Sequence, residues 1–143
     1  MRTLRYWLLL SLPVLVLVLG LGCSNQPNEE IMQGASAVQL RSYQSRVFDT
    51  TDKLMMLRSV VATLQDLGFI IDEANASLGM VSATRASGSQ VRITVVVRLR
   101  GESQLLVRAN AHMDLKPIEA PEPYQDFFTA LEKSVFLTAQ QVD

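Results

Sequence analysis

The clearest pattern in this chain is an alternation of apolar and polar residues over two neighbouring segments. Every second residue from Val91 to Leu99 is apolar, and the same holds from Leu105 to Met113. Gly101 lies between the two segments, where a turn is needed. A period of two is typical of a strand with one buried face. The two segments therefore predict a β-hairpin with one dry and one wet face.

Two other segments have apolar residues at helical spacing, and we predict an amphipathic helix in each. The first begins after Asp52, a typical N-cap residue, and ends before Gly68, a typical C-cap residue. Its apolar stripe consists of Leu54, Met56, Leu57, Val60, Val61, Leu64 and Leu67, and we expect Arg58, Ser59, Gln65 and Asp66 opposite. The second begins at about Tyr124, and its stripe consists of Tyr124, Phe127, Phe128, Leu131, Val135 and Val142.

The remaining segments complete the predicted fold. Residues 39–48 carry apolar residues among polar ones without a helical stripe, so they predict a strand. Residues 69–71 predict a short extended piece, residues 72–79 a turn, and residues 80–85 another strand. The order is then β-α-β-β-β-α. We expect an α+β fold in which an antiparallel sheet of about four strands has two helices packed on one face.

The N-terminal segment has the composition of an export signal. Arg2 and Arg5 precede an uncharged run from Trp7 to Gly22. This run is shorter than the roughly 20 apolar residues that cross a bilayer as a helix. A charged start followed by a short apolar run is typical of a secretory signal peptide. Cys23, the only cysteine of the chain, comes directly after it.

The stretch LGLGCSN around Cys23 is similar to the lipobox of bacterial lipoproteins. The family places Leu three residues before the cysteine, whereas this chain has Gly20 there and Leu19 one position earlier. The resemblance implies cleavage before Cys23, attachment of palmitate and other acyl chains to it, and anchoring in membrane lipid. With Ser24 next, it implies the inner leaflet of the outer membrane, facing the periplasm. The alternative is an uncleaved signal anchor with an unpaired thiol.

These features divide the chain into three predicted parts. They are a lipoprotein signal peptide over residues 1–22, a flexible tether over 23–38 and a single α+β domain over 39–143. Loss of residues 1–22 removes two of the 13 basic residues and leaves 11 against 14 acidic ones, a net charge of −3. We do not expect a chain of this charge to bind nucleic acid.

The sequence contains little that could carry catalysis. His112 is the only histidine, and a metal site needs several converging ligands. The chain has neither a G-x-S-x-G motif nor a glycine-rich phosphate-binding loop. We predict no catalytic residue, no metal site and no cofactor, and we expect the chain not to be an enzyme. An enzyme would need a cleft of polar groups around His112.

Arginines on the predicted wet face of the hairpin are the strongest candidates for a binding site: Arg92, Arg98, Arg100 and Arg108. Val96 and Leu106 lie among them, and Phe136 is predicted on the outer side of the last helix. Such arginines can simply be the solvated side of a sheet, where they discourage edge pairing. They can also bind anions, and together with neighbouring apolar residues they then form a partner-binding surface. Both interpretations stay open.

The stretches LQDLGFIID and LGMVSATR resemble a helix-to-strand unit in the helix-grip domains of a lipoprotein component of the β-barrel assembly machinery. They are also similar to a set of uncharacterised envelope lipoproteins of bacteria. The resemblance covers roughly residues 40–140 in layout and about twenty residues in motif. It implies an accessory or scaffolding role at an envelope surface, and it brings no catalytic residues.

Two hypotheses for function result. The first is a membrane-anchored, non-enzymatic accessory module of an envelope complex, with an envelope protein as its partner. The second is a periplasmic carrier or sensor of a small amphiphilic ligand held between helices and sheet. A carrier should enclose a cavity of several hundred Å³ lined by Leu57, Val95 and Phe127, whereas an interaction module should be solidly packed there.

Overall fold

The computed structural model describes residues 29–140 of the chain. Within them, the helices are α1 (Glu29–Tyr43), α2 (Lys53–Asp66) and α3 (Glu122–Gln140). The strands are β1 (Ser45–Phe48), β2 (Ile70–Asn75), β3 (Met80–Ser87), β4 (Ser89–Arg100), β5 (Gln104–Met113) and β6 (Lys116–Pro117). A compact unit begins at Ala35, and the packing described below lies within it. The predicted signal peptide and Cys23 lie outside the described residues.

The strands form one antiparallel sheet in the order β1-β5-β4-β3-β2. The two-residue strand β6 pairs with β5 at His112 and Met113, beyond the residues that pair with β1. Alternate residues of β4 and β5 are buried, as the period of two predicted. The α+β class and the antiparallel sheet are therefore confirmed. The sheet has five strands and the short sixth, where the sequence predicted about four.

Both α2 and α3 pack on the same face of the sheet, which is termed the covered face. The other face, which neither of these helices covers, is termed the open face. The buried core joins the two helices to the inward residues of β3, β4 and β5. Its largest fully buried side chains are Tyr124, Phe127, Phe128, Met56, Leu64, Leu105, Leu131, Val60, Val81, Val95, Val97 and Val107. The predicted stripe of α3 is thus confirmed up to Val135, which is half-buried, and Val142 lies outside the described residues.

The hydroxyl of Tyr124 joins four parts of the chain in the core. It donates a hydrogen bond to the Ile118 carbonyl (2.7 Å) and accepts one from the backbone N–H of Ala111 in β5 (3.2 Å). It also accepts one from Nε2 of Gln44, between α1 and β1 (3.2 Å). The hydroxyl thus makes one hydrogen bond as donor and two as acceptor, which is all that a hydroxyl can make. Its burial therefore leaves no donor or acceptor unpaired, and the hydrogen bonds stabilise the fold.

The first predicted strand is wrong over residues 39–43, which belong to α1, and β1 begins only at Ser45. Leu40 and Tyr43 are three residues apart and pack together against the core. This spacing brings both to one face of a helix, whereas in a strand it would place them on opposite faces. Helix α1 also includes residues 29–38, the later part of the predicted tether.

Strand β2 takes up half of the segment predicted as a turn and includes Ile70 and Ile71 of the predicted extended piece. It runs over Ile70–Asn75, and only residues 76–79 make the connection to β3. The register with β3 shifts between Ile71 and Glu73, so one extra residue interrupts the alternation. An edge strand with a bulge and a largely exposed surface has no clear period of two. The sequence pattern therefore identified only the beginning of this strand.

Helix α2 has the predicted ends but is rotated from the predicted orientation. Asp52 caps it, since its Oδ1 accepts a hydrogen bond from the Met55 N–H (2.9 Å), and Gly68 follows with a φ of +80°. Ser59, predicted on the outer side, is only 3% exposed, whereas Leu54, predicted in the core, is 50% exposed. The Ser59 hydroxyl donates to Sδ of Met55 (3.7 Å). Not all of the apolar stripe of α2 is therefore buried, and Leu54 is on the part that stays exposed.

Gly79 allows β3 to begin close to β4. Its φ is +68°, and its carbonyl accepts a hydrogen bond from the Val97 N–H (2.8 Å). A Cβ at this position would lie 2.5 Å from the Val97 carbonyl oxygen. Only glycine fits both the left-handed backbone and this close approach.

Candidate functional site

The open face is built from alternate residues of every long strand. In β4 and β5, the register pairs Arg92 with His112, Val96 with Arg108, Arg98 with Leu106 and Arg100 with Gln104. All these residues are the outward members of the alternation, and the arginines are exposed. The placement of the four arginines on one wet face, which the sequence predicted, therefore agrees with the strand register.

Arg98 and Arg108 lie at opposite corners of a square whose other corners are Val96 and Leu106. Diagonal neighbours on adjacent strands are about 7–8 Å apart, within reach of long side chains. Val96 and Leu106 are half-buried although neither α2 nor α3 covers them. Long arginine side chains commonly cover apolar neighbours with their methylene groups while the guanidinium stays in water. The square thus combines two cations with two apolar side chains.

An open depression of about 320 Å³ lies over this square. Its lining consists of Val96, Arg98, Leu106, Arg108 and Asn110. Arg100 is two residues further along β4 on the same face, at the hairpin end. We use the term arginine cluster for Arg98, Arg100 and Arg108.

The arginine cluster has no carboxylate partner among residues 36–140, the part of the chain in which the structure describes side chains. The ion pair in this part of the chain joins Arg46 to Glu132 (3.4 Å), away from the open face. Arg108 donates from Nε to the Ser45 hydroxyl (3.3 Å), a neutral acceptor. The cationic charge of the cluster is therefore not neutralised by described residues of the chain.

The open face also has an acidic margin. Asp72 in β2 accepts a hydrogen bond through Oδ2 from the Thr84 hydroxyl of β3 (2.6 Å), and Glu73 is its neighbour. Two strands, β4 and β3, lie between this margin on β2 and strand β5. The face is therefore positive over β4 and β5 and negative at the β2 edge, which gives it a direction for docking.

Two of the predicted site residues lie apart from the cluster. Arg92 is six residues from Arg98 along β4, which corresponds to about 20 Å in an extended strand, and it faces His112 at the other end of the sheet. Phe136 is 60% exposed, but it lies on α3, the helix that packs on the covered face. The structure therefore does not bring Phe136 together with the arginines.

His112 is exposed on β5. The described residues contain no group of three or more His, Cys, Asp or Glu side chains that could hold a metal ion. The lipid-attachment residue of the lipobox, Cys23, lies outside these residues. None of the described helices is long and apolar enough to cross a membrane.

The sequence interpretation missed Arg85, which lies on the covered face. In β3 it follows Val81 and Ala83 at a spacing of two, so it belongs to the inward set. Its Nη1 donates to the Leu67 carbonyl at the end of α2 (3.0 Å), and its guanidinium lies 4.7 Å from the ring centroid of Phe69. The signal in the sequence was an arginine at a position that the alternation along β3 assigns to the buried face, where a charged side chain needs partners.

Comparison with known proteins adds no relative: no protein-family model matches this chain, and no curated protein sequence matches it at a significant level.

Proposed function

We propose that this chain is a membrane-anchored bacterial lipoprotein whose domain binds an acidic protein of the cell envelope through its open face. The observation that supports this most strongly is the arginine cluster around an open depression, with no carboxylate partner among the described residues. The function is that of a non-enzymatic accessory module.

The electrostatics of the cluster favour an acidic partner. Neighbouring guanidinium groups at about 7 Å repel each other by about 0.5 kcal/mol per pair in water. An acidic surface would replace this repulsion with attraction, and each arginine can form two parallel hydrogen bonds with one carboxylate. The whole chain has a net charge of −1, so the cluster is a local reversal of sign. Two copies of this chain that met through the arginine cluster would bring like charges together. The cluster therefore favours a different, acidic protein as its partner.

The apolar residues of the square add a second contribution. Val96 and Leu106 already lie between the arginine side chains and are only half exposed to water. A partner that covers them removes apolar surface from water at about 25 cal/mol per Å². Interfaces that combine an apolar centre with arginines at its margin are the common pattern in protein complexes.

The anchor proposed at Cys23 would place this domain at a membrane surface. Each acyl methylene buried in a bilayer contributes about 0.8 kcal/mol, and two or more chains give stable attachment. Ser24 favours the inner leaflet of the outer membrane in this proposal. A domain held there meets partners in two dimensions, so a weak interface is sufficient.

Site-specific photo-crosslinking in native membranes tests this proposal. A photoreactive residue would replace Leu106 on the open face or, in the matched control, Phe136 on α3. With the photoreactive residue at position 106, we expect one discrete product in which this chain is crosslinked to a different protein. With the photoreactive residue at position 136, we expect at most a minor amount of that product. A product of equal yield from both positions, or one formed with a second copy of this chain, would contradict the proposal.

A further inference from the structure

A second candidate site lies on the covered face, at the end of the helix–sheet interface. It is a cavity of about 230 Å³ between the end of α2, the start of α3 and the sheet. Its floor is formed by Val91, Ile93 and Ala111, and Phe69 and Phe127 are also part of its lining. Met113, Pro123 and Asp126 are exposed to solvent, so they mark the mouth. We term it the end cavity.

The end cavity differs from the one expected for a carrier. Val95 is fully buried in the core, and Leu57 lines a separate groove near β2. Of the three residues named for a carrier, only Phe127 reaches the end cavity. The centre of the interface is thus packed, and the available space lies at one end.

Arg85 gives the end cavity a positively charged wall. A guanidinium has five N–H donors in a fixed plane. One nitrogen of Arg85, Nη1, donates to the Leu67 carbonyl, while Nε is buried and has no acceptor among the described residues. Stacking on Phe69 holds the plane of the group in place. Because Nε has no accessible surface, it faces protein, and Arg85 lines the cavity through the other atoms of its side chain. Its positive charge is then a favourable neighbour for an anion in the cavity.

The charges around the cavity restrict the ligand to a single negative charge. Arg85 forms no ion pair with a carboxylate in the described part of the chain. Asp126 lines the mouth, but its side chain is exposed and solvated. A monoanion can place its charge at Arg85 inside the cavity, whereas a polyanion would also meet Asp126.

The volume restricts the apolar part of the ligand. A dry apolar cavity of about 150 Å³ is sufficient for one benzene molecule. The end cavity is larger than this by roughly half, and most of its lining is apolar. It has space for one ring and a short acidic side chain, but not for a lipid with two acyl chains.

We propose that the end cavity binds a small monocarboxylate with an apolar body, of the class of the arylacetates. The carboxylate binds the part of the Arg85 guanidinium that lines the cavity, and the ring packs against Phe127 and Ile93. This site is on the opposite side of the sheet from the arginine cluster, so the proposal is independent of the protein-binding function.

Phenylacetate and its neutral isostere phenylacetamide are the appropriate probes. Both would be titrated into the full chain in lipid nanodiscs, with the methyl signals of Ile93 and Ala111 followed by NMR. We expect phenylacetate to bind at least about tenfold more tightly than phenylacetamide, the difference that one charge-assisted hydrogen bond provides. Equal affinities, or no binding of either compound at millimolar concentration, would overturn the proposal.

Two variants and one matched control locate the binding. Arg85→Lys keeps the charge but removes the planar guanidinium and its paired N–H donors, so it should reduce the preference for the acid to about twofold while phenylacetamide still binds. Arg92→Lys on the open face is the matched control and should leave both affinities unchanged. Ala111→Leu fills the cavity, so it should abolish binding of both probes while the melting temperature stays equal or rises. Unaltered phenylacetate binding by Ala111→Leu would contradict the assignment of the site.

Discussion

The covered and open faces of the sheet use arginine in different ways. At the two edges of the covered face, Arg46 pairs with Glu132 and lies over the Phe128 ring (5.4 Å), and Arg85 donates to the Leu67 carbonyl and stacks on Phe69. On the open face, Arg98 and Arg100 have no such partner among the described side chains of residues 36–140. Arg46 and Arg85 thus have partners within the fold, whereas Arg98 and Arg100 extend into solvent on the open face.

The same two strands supply both faces. Val107 is fully buried on the covered face, and its neighbours Leu106 and Arg108 point to the open face. A shift of one residue along β5 therefore moves a side chain from the buried core to the open face. Substitutions on the two faces should separate into one group that changes stability and another that changes binding.

The largest effect is expected from truncating a buried aromatic residue of the covered face. Phe128→Ala should lower the free energy of unfolding by about 3–5 kcal/mol, because it removes a fully buried ring and leaves a cavity. Phe136→Ala, on the exposed side of the same helix, should change it by no more than about 0.5 kcal/mol. Urea denaturation measures both. Similar values for the two variants would show that α3 does not pack on the sheet through Phe128.

The next effect tests the buried hydroxyl of Tyr124. Tyr124→Phe keeps the ring but leaves the Ile118 carbonyl and the Ala111 N–H without their partner. We expect a loss of about 2 kcal/mol, the cost of unpaired buried polar groups. Tyr43→Phe is the control, since the Tyr43 hydroxyl only accepts a hydrogen bond from the exposed Gln39, and it should cost no more than about 0.5 kcal/mol. Thermal unfolding of the two variants in parallel gives the comparison.

The smallest effect on stability is expected for the arginines themselves. The Arg46–Glu132 pair is about half exposed on both sides, so a double-mutant cycle should give a coupling of about 0.2–1 kcal/mol. Arg98→Ala should change stability by less than about 0.5 kcal/mol, because nothing in the described fold pairs with it. A loss of 2 kcal/mol or more for Arg98→Ala would show that the open face belongs to the fold.

The central hairpin and both amphipathic helices could be predicted because their patterns reflect burial. Val91, Val95 and Val107 alternate with residues that point to solvent, and burial on one face enforces this alternation. The N-cap at Asp52 and the left-handed Gly68 are local features, and local sequence determines them. The placement of the four arginines on the open face could be predicted from the same alternation.

The parts that could not be predicted depend on contacts distant in sequence. Strand β2 is defined by its pairing with β3 across a bulge, and its own side chains are mostly exposed. The burial of Ser59 depends on how α2 is rotated against the sheet and α3. The role of Arg85 depends on the carbonyl of Leu67, eighteen residues away in sequence. Periodicity within a segment carries no information about these contacts.

The most direct test of the account is a comparison of charge reversals on the two sides of the molecule. One variant carries Arg98→Glu, Arg100→Glu and Arg108→Glu; the other carries Arg41→Glu, Arg58→Glu and Lys133→Glu at exposed positions outside the open face. Both change the net charge equally, so only position differs. The measurement is the yield of the heteromeric product from a photoreactive residue at position 106, in native membranes.

The account predicts that reversal of the arginine cluster lowers this yield at least about tenfold, because like charges then face the acidic partner. The reversal elsewhere should change it by no more than about twofold, and both variants should keep the unfolding free energy of the parent chain within about 1 kcal/mol. Equal yields from the two variants would contradict the assignment of the open face as the binding surface.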